Sequence, residues 1–317
     1  MDIDGDGIPD ILSGSYSRME QDMAGLFQVL YGNSDGTFRK AEPLKGSDGK
    51  LLILPGTREK NLTDKICTRP FAVDLDGDGK LDIVTGNFGG SFFWFRGEGK
   101  GKFNPNAEPI KVGGKILQLP PGGHHSDPFI IDWDGDGDLD LLSGSTDGGV
   151  YLAENIAGKG KPPVFKEFKA LIFPAGKEWQ QDSGKVLRET DLKRPTYGCR
   201  IWVADMNHDG KLDILVGDRT TLVFPKNGVS EAEMQKRRAE WQKEYDAAQA
   251  VYAKAMNNAG SGATGSVGSL LSALGRLFGA DSSARNKAQQ DLMKVYEKRS
   301  AFMTEETTGF VWLYLQK

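Results

Sequence analysis

Aspartate side chains recur with a fixed spacing at four places in the chain. Each motif has side-chain oxygens at positions 1, 3, 5 and 9 and a glycine at position 6, over residues 2–10, 74–82, 132–140 and 205–213. Calcium takes about six to eight hard oxygen ligands, and a short loop presents them only if its backbone bends sharply. Glycine permits that bend because it tolerates positive φ. The motifs therefore predict calcium-binding loops in which position 7 contributes its backbone carbonyl.

Positions 1, 3, 5, 7 and 9 of the four loops are the predicted metal ligands, for up to four Ca²⁺ ions. They are Asp2, Asp4, Asp6, Ile8, Asp10, Asp74, Asp76, Asp78, Lys80, Asp82, Asp132, Asp134, Asp136, Asp138, Asp140, Asp205, Asn207, Asp209, Lys211 and Asp213. Carboxylates crowded in this way repel one another without a cation. We therefore expect calcium binding and folding to be linked.

The residues around each motif indicate which kind of calcium loop it is. An EF-hand needs a bidentate glutamate at position 12, where this chain has Ser13, Thr85, Ser143 and Val216. An apolar pair instead follows the last aspartate, and short apolar segments with aromatic residues precede three of the motifs. The pattern predicts strand, loop, strand rather than helix, loop, helix. A glycine then closes each motif, at Gly14, Gly86, Gly144 and Gly217.

This combination of motif and flanks resembles the FG-GAP (VCBS-type) repeats of integrin-alpha-like β-propellers. The resemblance covers most of residues 1–228 and residues 309–317, and it rests on the calcium motif because the family's Gly-Ala-Pro element is absent. It implies an all-β fold, a β-propeller of four-stranded blades. The first aspartates lie 72, 58 and 73 residues apart, a period that suits such blades.

The last repeat contains a segment of a different kind. A capping box begins at Ser230, and apolar residues then recur at helical spacing, which predicts an α-helical hairpin inserted in the last blade. Met1 stands where other repeats have the end of a strand, so we expect the propeller to be incomplete at its N-terminus. The predicted blades lie in 1–228, as repeats near 1–68, 69–126, 127–197 and 198–228, with the hairpin at 229–306 and a returning propeller strand at 307–317.

Three charged residues share one offset, five positions before a loop: Arg69, Asp127 and Arg200. The resemblance places such residues near the central channel of a propeller. Together with His124 they are the candidate ligand-binding residues, and surface turns with incidental charges are the competing interpretation. A histidine-based metal site is disfavoured, because neighbouring side chains on an extended segment point opposite ways. The sequence assigns no catalytic residue.

Composition excludes some classes of function. The formal net charge is −4 with no basic stripe, which argues against nucleic-acid binding. No apolar run is long enough for a transmembrane helix, and two cysteines, Cys67 and Cys199, make no disulfide framework.

The resemblance implies adhesion and ligand capture by a secreted calcium-binding propeller that is extracellular, periplasmic or on the cell surface. In that hypothesis calcium is structural and the partner is an unknown protein or carbohydrate. Two alternatives stay open. One is a carbohydrate-active enzyme, similar to a lyase, with its site at the channel mouth. The other is a cell-surface scaffold that docks partners on its helical hairpin.

Overall fold

A computed structural model describes residues 1–16, 25–55, 65–176, 188–257 and 282–317 of the chain. Strands far outnumber helices, and the chain divides into two compact units. The first unit comprises residues 1–176, 194–219 and 309–317, and the second comprises residues 177–193 and 220–308.

The first unit begins with an antiparallel sheet of three strands. It contains β1 (Ile11–Gly14), β2 (Phe27–Leu30) and β3 (Glu42–Pro43), in that spatial order. The second sheet has four strands that lie side by side in chain order, and a short two-stranded hairpin separates the last two along the chain. Their bounds are β4 (Arg69–Val73), β5 (Asp82–Gly86), β6 (Phe92–Phe95), β7 (Gly97–Gly99), β8 (Lys102–Phe103) and β9 (Glu108–Pro109).

The third sheet repeats this order, and a short hairpin precedes it. The hairpin pairs β10 (Lys111–Val112) with β11 (Lys115–Ile116). The sheet runs β12 (Asp127–Ile131), β13 (Asp140–Gly144), β14 (Val150–Ala153) and β15 (Lys169–Ile172). Every residue of β5 and of β13 is buried, because a second strand is covered by its neighbours and by the sheets on both sides.

The fourth sheet starts with β16 (Arg200–Ala204) and β17 (Asp213–Gly217). The chain then forms the second unit before it returns. That unit contains β18 (Thr220–Pro225), α1 (Glu231–Asn257), α2 (Ser282–Glu297) and β19 (Met303–Thr308), with short 3-10 helices at Glu189–Asp191 and Lys298–Ala301. Finally β20 (Val311–Tyr314) pairs with β17, which gives the order β16-β17-β20.

In the second unit, β18 and β19 pair along their whole length and the two helices pack against each other. Ser230 caps α1, because its Oγ accepts the backbone N–H of Glu233 at 3.2 Å. The Trp241 indole N–H donates to the carbonyl of Val295 at 2.7 Å and so ties α1 to α2. Trp241 and Met234 are buried in the unit's own apolar cluster.

Apolar side chains fill the space between consecutive sheets of the first unit. Phe27 and Phe95 meet edge to face between the first and second sheets, with ring centroids 5.5 Å apart. The first strands of the second, third and fourth sheets, β4, β12 and β16, are called the inner strands. They carry a row of aromatic side chains, in which Phe129 lies 5.0 Å from Phe71 and 5.4 Å from Trp202. The fold is therefore mostly β, as predicted, and is built from repeated sheets packed face to face. A closed ring is not shown by the residues described.

Candidate functional site

The four acidic loops bend in the same way. In each, the carboxylate at position 1 accepts the N–H of the glycine at position 6, and the carboxylate at position 5 accepts the N–H at position 7, at distances between 2.8 and 3.0 Å. The position 6 glycines have φ of 87°, 83°, 93° and 85° at Gly7, Gly79, Gly137 and Gly210. Alanine in this left-handed region would be strained, so glycine is required there.

Position 4 has the same left-handed backbone, which the motif alone did not reveal. Gly5, Gly77 and Gly135 have φ between 73° and 79°, and the fourth loop places His208 there with φ of 62°. Histidine is among the non-glycine residues that occupy this region more readily than most. His208 is exposed, and its backbone takes the place that glycine has in the other three loops.

Carboxylates at positions 1, 3 and 5 converge in three loops. Their oxygens lie within 4.8 Å of one another in three groups: Asp2, Asp4 and Asp6; Asp74, Asp76 and Asp78; Asp132, Asp134 and Asp136. In the fourth loop position 3 is Asn207, whose amide donates to Asp209 at 3.0 Å. Such clustered hard oxygens suit calcium. The Oδ1 atom of Asp74 is buried and has no hydrogen-bond partner, an arrangement that a bound cation would satisfy.

The aspartate at position 9 has a different environment from the other three. One oxygen accepts the N–H of position 2, and the other accepts an N–H just beyond β2, β6, β14 or β20. Each of these strands pairs with the strand that follows the loop, and we call it the third strand of its repeat. For Asp82 these donors are Leu75 at 3.0 Å and Gly97 at 2.6 Å, and for Asp140 they are Trp133 at 2.9 Å and Asn155 at 2.7 Å. Asp10 and Asp213 make the same pair of bonds. We call these four residues the latch aspartates, because each fastens the loop to the third strand.

The latch aspartates are buried, unlike most of the loop carboxylates. Asp140 and Asp213 are fully buried, and Asp82 is 2% exposed. Burial raises the pKa of Asp82 and of Asp140 to about 6, and the donated backbone N–H groups oppose the rise. Both carboxylates are therefore ionised at pH 7.4 and satisfied by backbone donors.

Position 7 differs from loop to loop in its side chain. The Lys80 ammonium donates to the neighbouring Asp78 at 2.8 Å, whereas Ile8 and Lys211 bond to a loop carboxylate through their backbone N–H and, within the described residues, not through their side chains. Asp138 is buried; its Oδ2 accepts the N–H of Gly158 at 2.7 Å, and its Oδ1 has no partner. Burial raises the pKa of Asp138, and the carboxylates of Asp136 and Asp134 raise it further.

The glycine that closes each motif lies where one sheet meets the next. A Cβ atom added to Gly14, Gly86 or Gly144 would lie 1.8, 2.1 or 2.5 Å from a backbone carbonyl oxygen. Those oxygens belong to Thr68, Ser126 and Cys199, each directly before the inner strand of the next sheet. Nothing lies within 4 Å of such an atom at Gly217, in the fourth sheet. The glycines therefore permit close contact between the backbones of neighbouring sheets.

Three of the four candidate ligand-binding residues meet at the start of the inner strands. Arg200 donates to the Oδ1 atom of Asp127 at 2.9 Å, and Arg69 lies 3.8 Å from the same atom. Arg69 also donates to the carbonyl of His125 at 3.2 Å. Two guanidinium groups share one carboxylate, so this group, which we call the arginine belt (Arg69, Asp127 and Arg200), has a net positive charge.

The fourth candidate, His124, is not joined to the arginine belt by any hydrogen bond or ion pair that the structure describes. Its backbone N–H donates to Thr146 Oγ1 at 2.9 Å, and its ring lies 6.3 Å from that of Phe88. His125 is the histidine beside the belt. It has φ of 56° and meets the Phe88 ring edge to face at 4.3 Å. Its role could not be predicted from the sequence, because it contributes a backbone carbonyl rather than its side chain.

Acid should destabilise the protein through His125. Burial, aided by the positive charge of Arg69 and of His124, lowers the pKa of His125 to about 4. The unfolded chain then binds the extra proton between about pH 6.5 and pH 4, so stability falls as the pH is lowered through that window, by on the order of 2–3 kcal/mol. His125→Asn keeps a residue that accepts positive φ and cannot titrate. Urea unfolding at pH 7 and pH 4.5 should show a smaller acid-dependent loss in this variant, and an equal loss would contradict the assignment.

The fold and the loops define a class of protein. It is built from repeated strand–loop–strand sheets, each with an acidic loop held by a latch aspartate. A family model for the FG-GAP-like repeat matches residues 74–143 and 132–216. Residues 74–216 are therefore FG-GAP-like repeats, and the resemblance inferred from the loops is confirmed there. None of the helices in the described part of the chain has the length and apolar character that crossing a membrane requires.

Proposed function

We propose that this chain is a secreted β-propeller module that captures a ligand, with calcium in its acidic loops as a structural ion. FG-GAP repeats are typical of extracellular ligand-binding and adhesion propellers, which supports this class of function. The observation that carries the proposal is the common bonding pattern of four loops, three of which bring three carboxylates together before any cation binds. Calcium would neutralise these carboxylates and fix the loop between two strands.

The arginine belt is the proposed ligand-binding surface. Arg200 has five N–H donors, and its side chain is 51% exposed although one donor is used by Asp127. Its free donors are suited to acidic groups such as carboxylates and sulfate esters, because a guanidinium donates to two of their oxygens at once. The belt has two cations and one anion, so an acidic ligand is favoured over a neutral one. The proposed partner is an acidic protein segment or an acidic carbohydrate.

Arg200→Ala tests this surface with little expected effect on the fold. Asp127 would keep Arg69 as its partner, so the change removes a donor without leaving the carboxylate alone. With calcium present, wild-type protein should bind immobilised dextran sulfate more tightly than neutral dextran, and the variant should lose most of that preference. Arg39→Ala, which removes an arginine near the first sheet, is the matched control. Equal binding by the Arg200 and Arg39 variants would overturn the assignment.

A further inference from the structure

The second loop, residues 74–82, differs from the others in that protein cations already contact its carboxylates. Arg96 lies 2.9 Å from Asp76 Oδ2 and Lys80 lies 2.8 Å from Asp78 Oδ2. Among the described residues, these are the ion pairs that involve an aspartate of any acidic loop. Position 3 and position 5 of this loop are therefore partly neutralised before a metal ion arrives.

Arg96 is the better-positioned of the two cations. Its guanidinium lies over the Trp94 ring, 3.9 Å from the centroid, and its Nε donates to Glu108 Oε1 at 2.9 Å. Its Nη1 then donates to Asp76 at 2.9 Å. The stacking and the second carboxylate hold the planar group in place, so less conformational entropy is lost in each contact. Lys80 is a flexible exposed side chain, whose ion pair contributes little.

The equivalent residue in the other sheets cannot act in this way. It directly follows the third strand, at Tyr31, Arg96, Glu154 and Leu315. These positions correspond because the last residues of β2, β6, β14 and β20 all pair with the residue after a latch aspartate. Glu154 is itself paired with Lys166 and Lys169. Only the second sheet places a cation at this position.

We infer that Arg96 is a built-in competitor for calcium at the second loop, which makes this loop a weaker calcium site than the first and third loops, which have the same three converging carboxylates. Calcium and Arg96 both require the oxygens of Asp76, and a guanidinium beside a bound dication is repelled by it. Filling the loop therefore moves Arg96 away from Asp76 and leaves it on Glu108. The unpartnered Oδ1 of Asp74 still favours a cation there, so the loop fills, but at higher calcium concentration.

Trp94 provides a readout of this displacement that is independent of any ligand-binding activity. Its ring is 6% exposed and is covered by the guanidinium that calcium would move. Its fluorescence should therefore change in the phase of a calcium titration in which the second loop fills, and Trp94→Phe should remove that phase of the signal. If the phase persisted in Trp94→Phe, the signal would come from another tryptophan and this readout of Arg96 would be overturned.

The decisive test compares Arg96→Gln with Arg39→Gln in calcium titrations followed by calorimetry and by tryptophan fluorescence. Both changes remove one positive charge near the third strand of a sheet, but Arg39 contacts Asn33 and the Tyr31 ring rather than a loop aspartate. Arg96→Gln should tighten calcium binding at one site, the second loop, by about three- to tenfold, with little effect on the others. Arg39→Gln should leave the titration unchanged.

The inference rests on the proposed calcium binding, and the outcomes separate the two. Calcium uptake with identical titrations for wild type and Arg96→Gln would overturn the role of Arg96 and leave the proposed function intact. Tightening of a single weak site by Arg96→Gln alone would support it. The absence of calcium uptake by wild-type protein would overturn both.

Discussion

Asp140→Ala is expected to destabilise the protein by about 3–5 kcal/mol even without calcium. Asp140 is fully buried and accepts the N–H groups of Trp133 and Asn155. Alanine would leave both donors buried without a partner and would release the third loop from strand β14. Urea unfolding in EGTA, followed by tryptophan fluorescence, measures the loss without any contribution from a metal ion.

Asp134→Ala is the matched control in the same loop. Asp134 is exposed, and its oxygen accepts one N–H, that of Asp136, at 3.3 Å. In EGTA the free energy of unfolding of this variant should differ from that of wild type by about 0.5 kcal/mol or less. In calcium the variant should lose much of the stabilisation that calcium binding at the third loop provides. If the two variants were equally stable in EGTA, the latch aspartates would have no structural role distinct from that of the ligands.

Gly86→Ala should have the second large effect, a loss of about 2–4 kcal/mol. The added Cβ would lie 2.1 Å from the carbonyl oxygen of Ser126. Ser126 is fully buried and its backbone N–H donates to Asn87, so the backbone cannot move away without breaking that contact. The second and third sheets would separate, which exposes apolar side chains between them.

Gly217→Ala separates this packing effect from any preference for glycine in the motif. Gly217 closes the fourth motif and has open space around its Cβ position. Its backbone is not left-handed, so alanine should change stability by about 0.5 kcal/mol or less. Thermal unfolding of the two variants side by side tests the account. A similar loss at both positions would show that the glycine serves the loop itself rather than the contact between sheets.

Much of the first unit could be predicted from sequence because its pattern is local. The spacing from Asp74 to Asp82 and the apolar residues on either side specify a strand, a bent loop and another strand within one stretch of chain. The left-handed glycine at position 6 follows from the same stretch, whereas the one at position 4 does not. The family match over residues 74–216 confirms what this local pattern indicated.

The parts that could not be predicted depend on contacts between distant residues. Position 9 was predicted as a metal ligand like positions 1, 3 and 5, but its bond to an N–H beyond the third strand appears only once the sheet is formed. The bond from Arg96 to Asp76 spans 20 residues, and the pair of Arg200 with Asp127 spans 73. The predicted role of all twenty loop positions in metal binding stays a prediction.

The predicted domain boundaries stay predictions. The helices α1 and α2 lie within the predicted segment 229–306, but β18 and β19 extend the second unit to residues 220–308. The sequence also predicts an amphipathic stretch at residues 270–278, and this stretch lies outside the residues described. The predicted roles of this segment, as a docking element for a partner, and of His124 in ligand binding are not tested by the structure.

Thermal unfolding with calcium against EGTA is the most direct test that the acidic loops are structural calcium sites. A cation that binds only the folded loops adds about 2.7 kcal/mol for each site when its concentration is a hundred times Kd. Several occupied sites should therefore raise Tm by about 10 °C or more, and magnesium, which is smaller and demands octahedral geometry, should do much less. Identical melting curves in calcium and in EGTA would contradict the central claim.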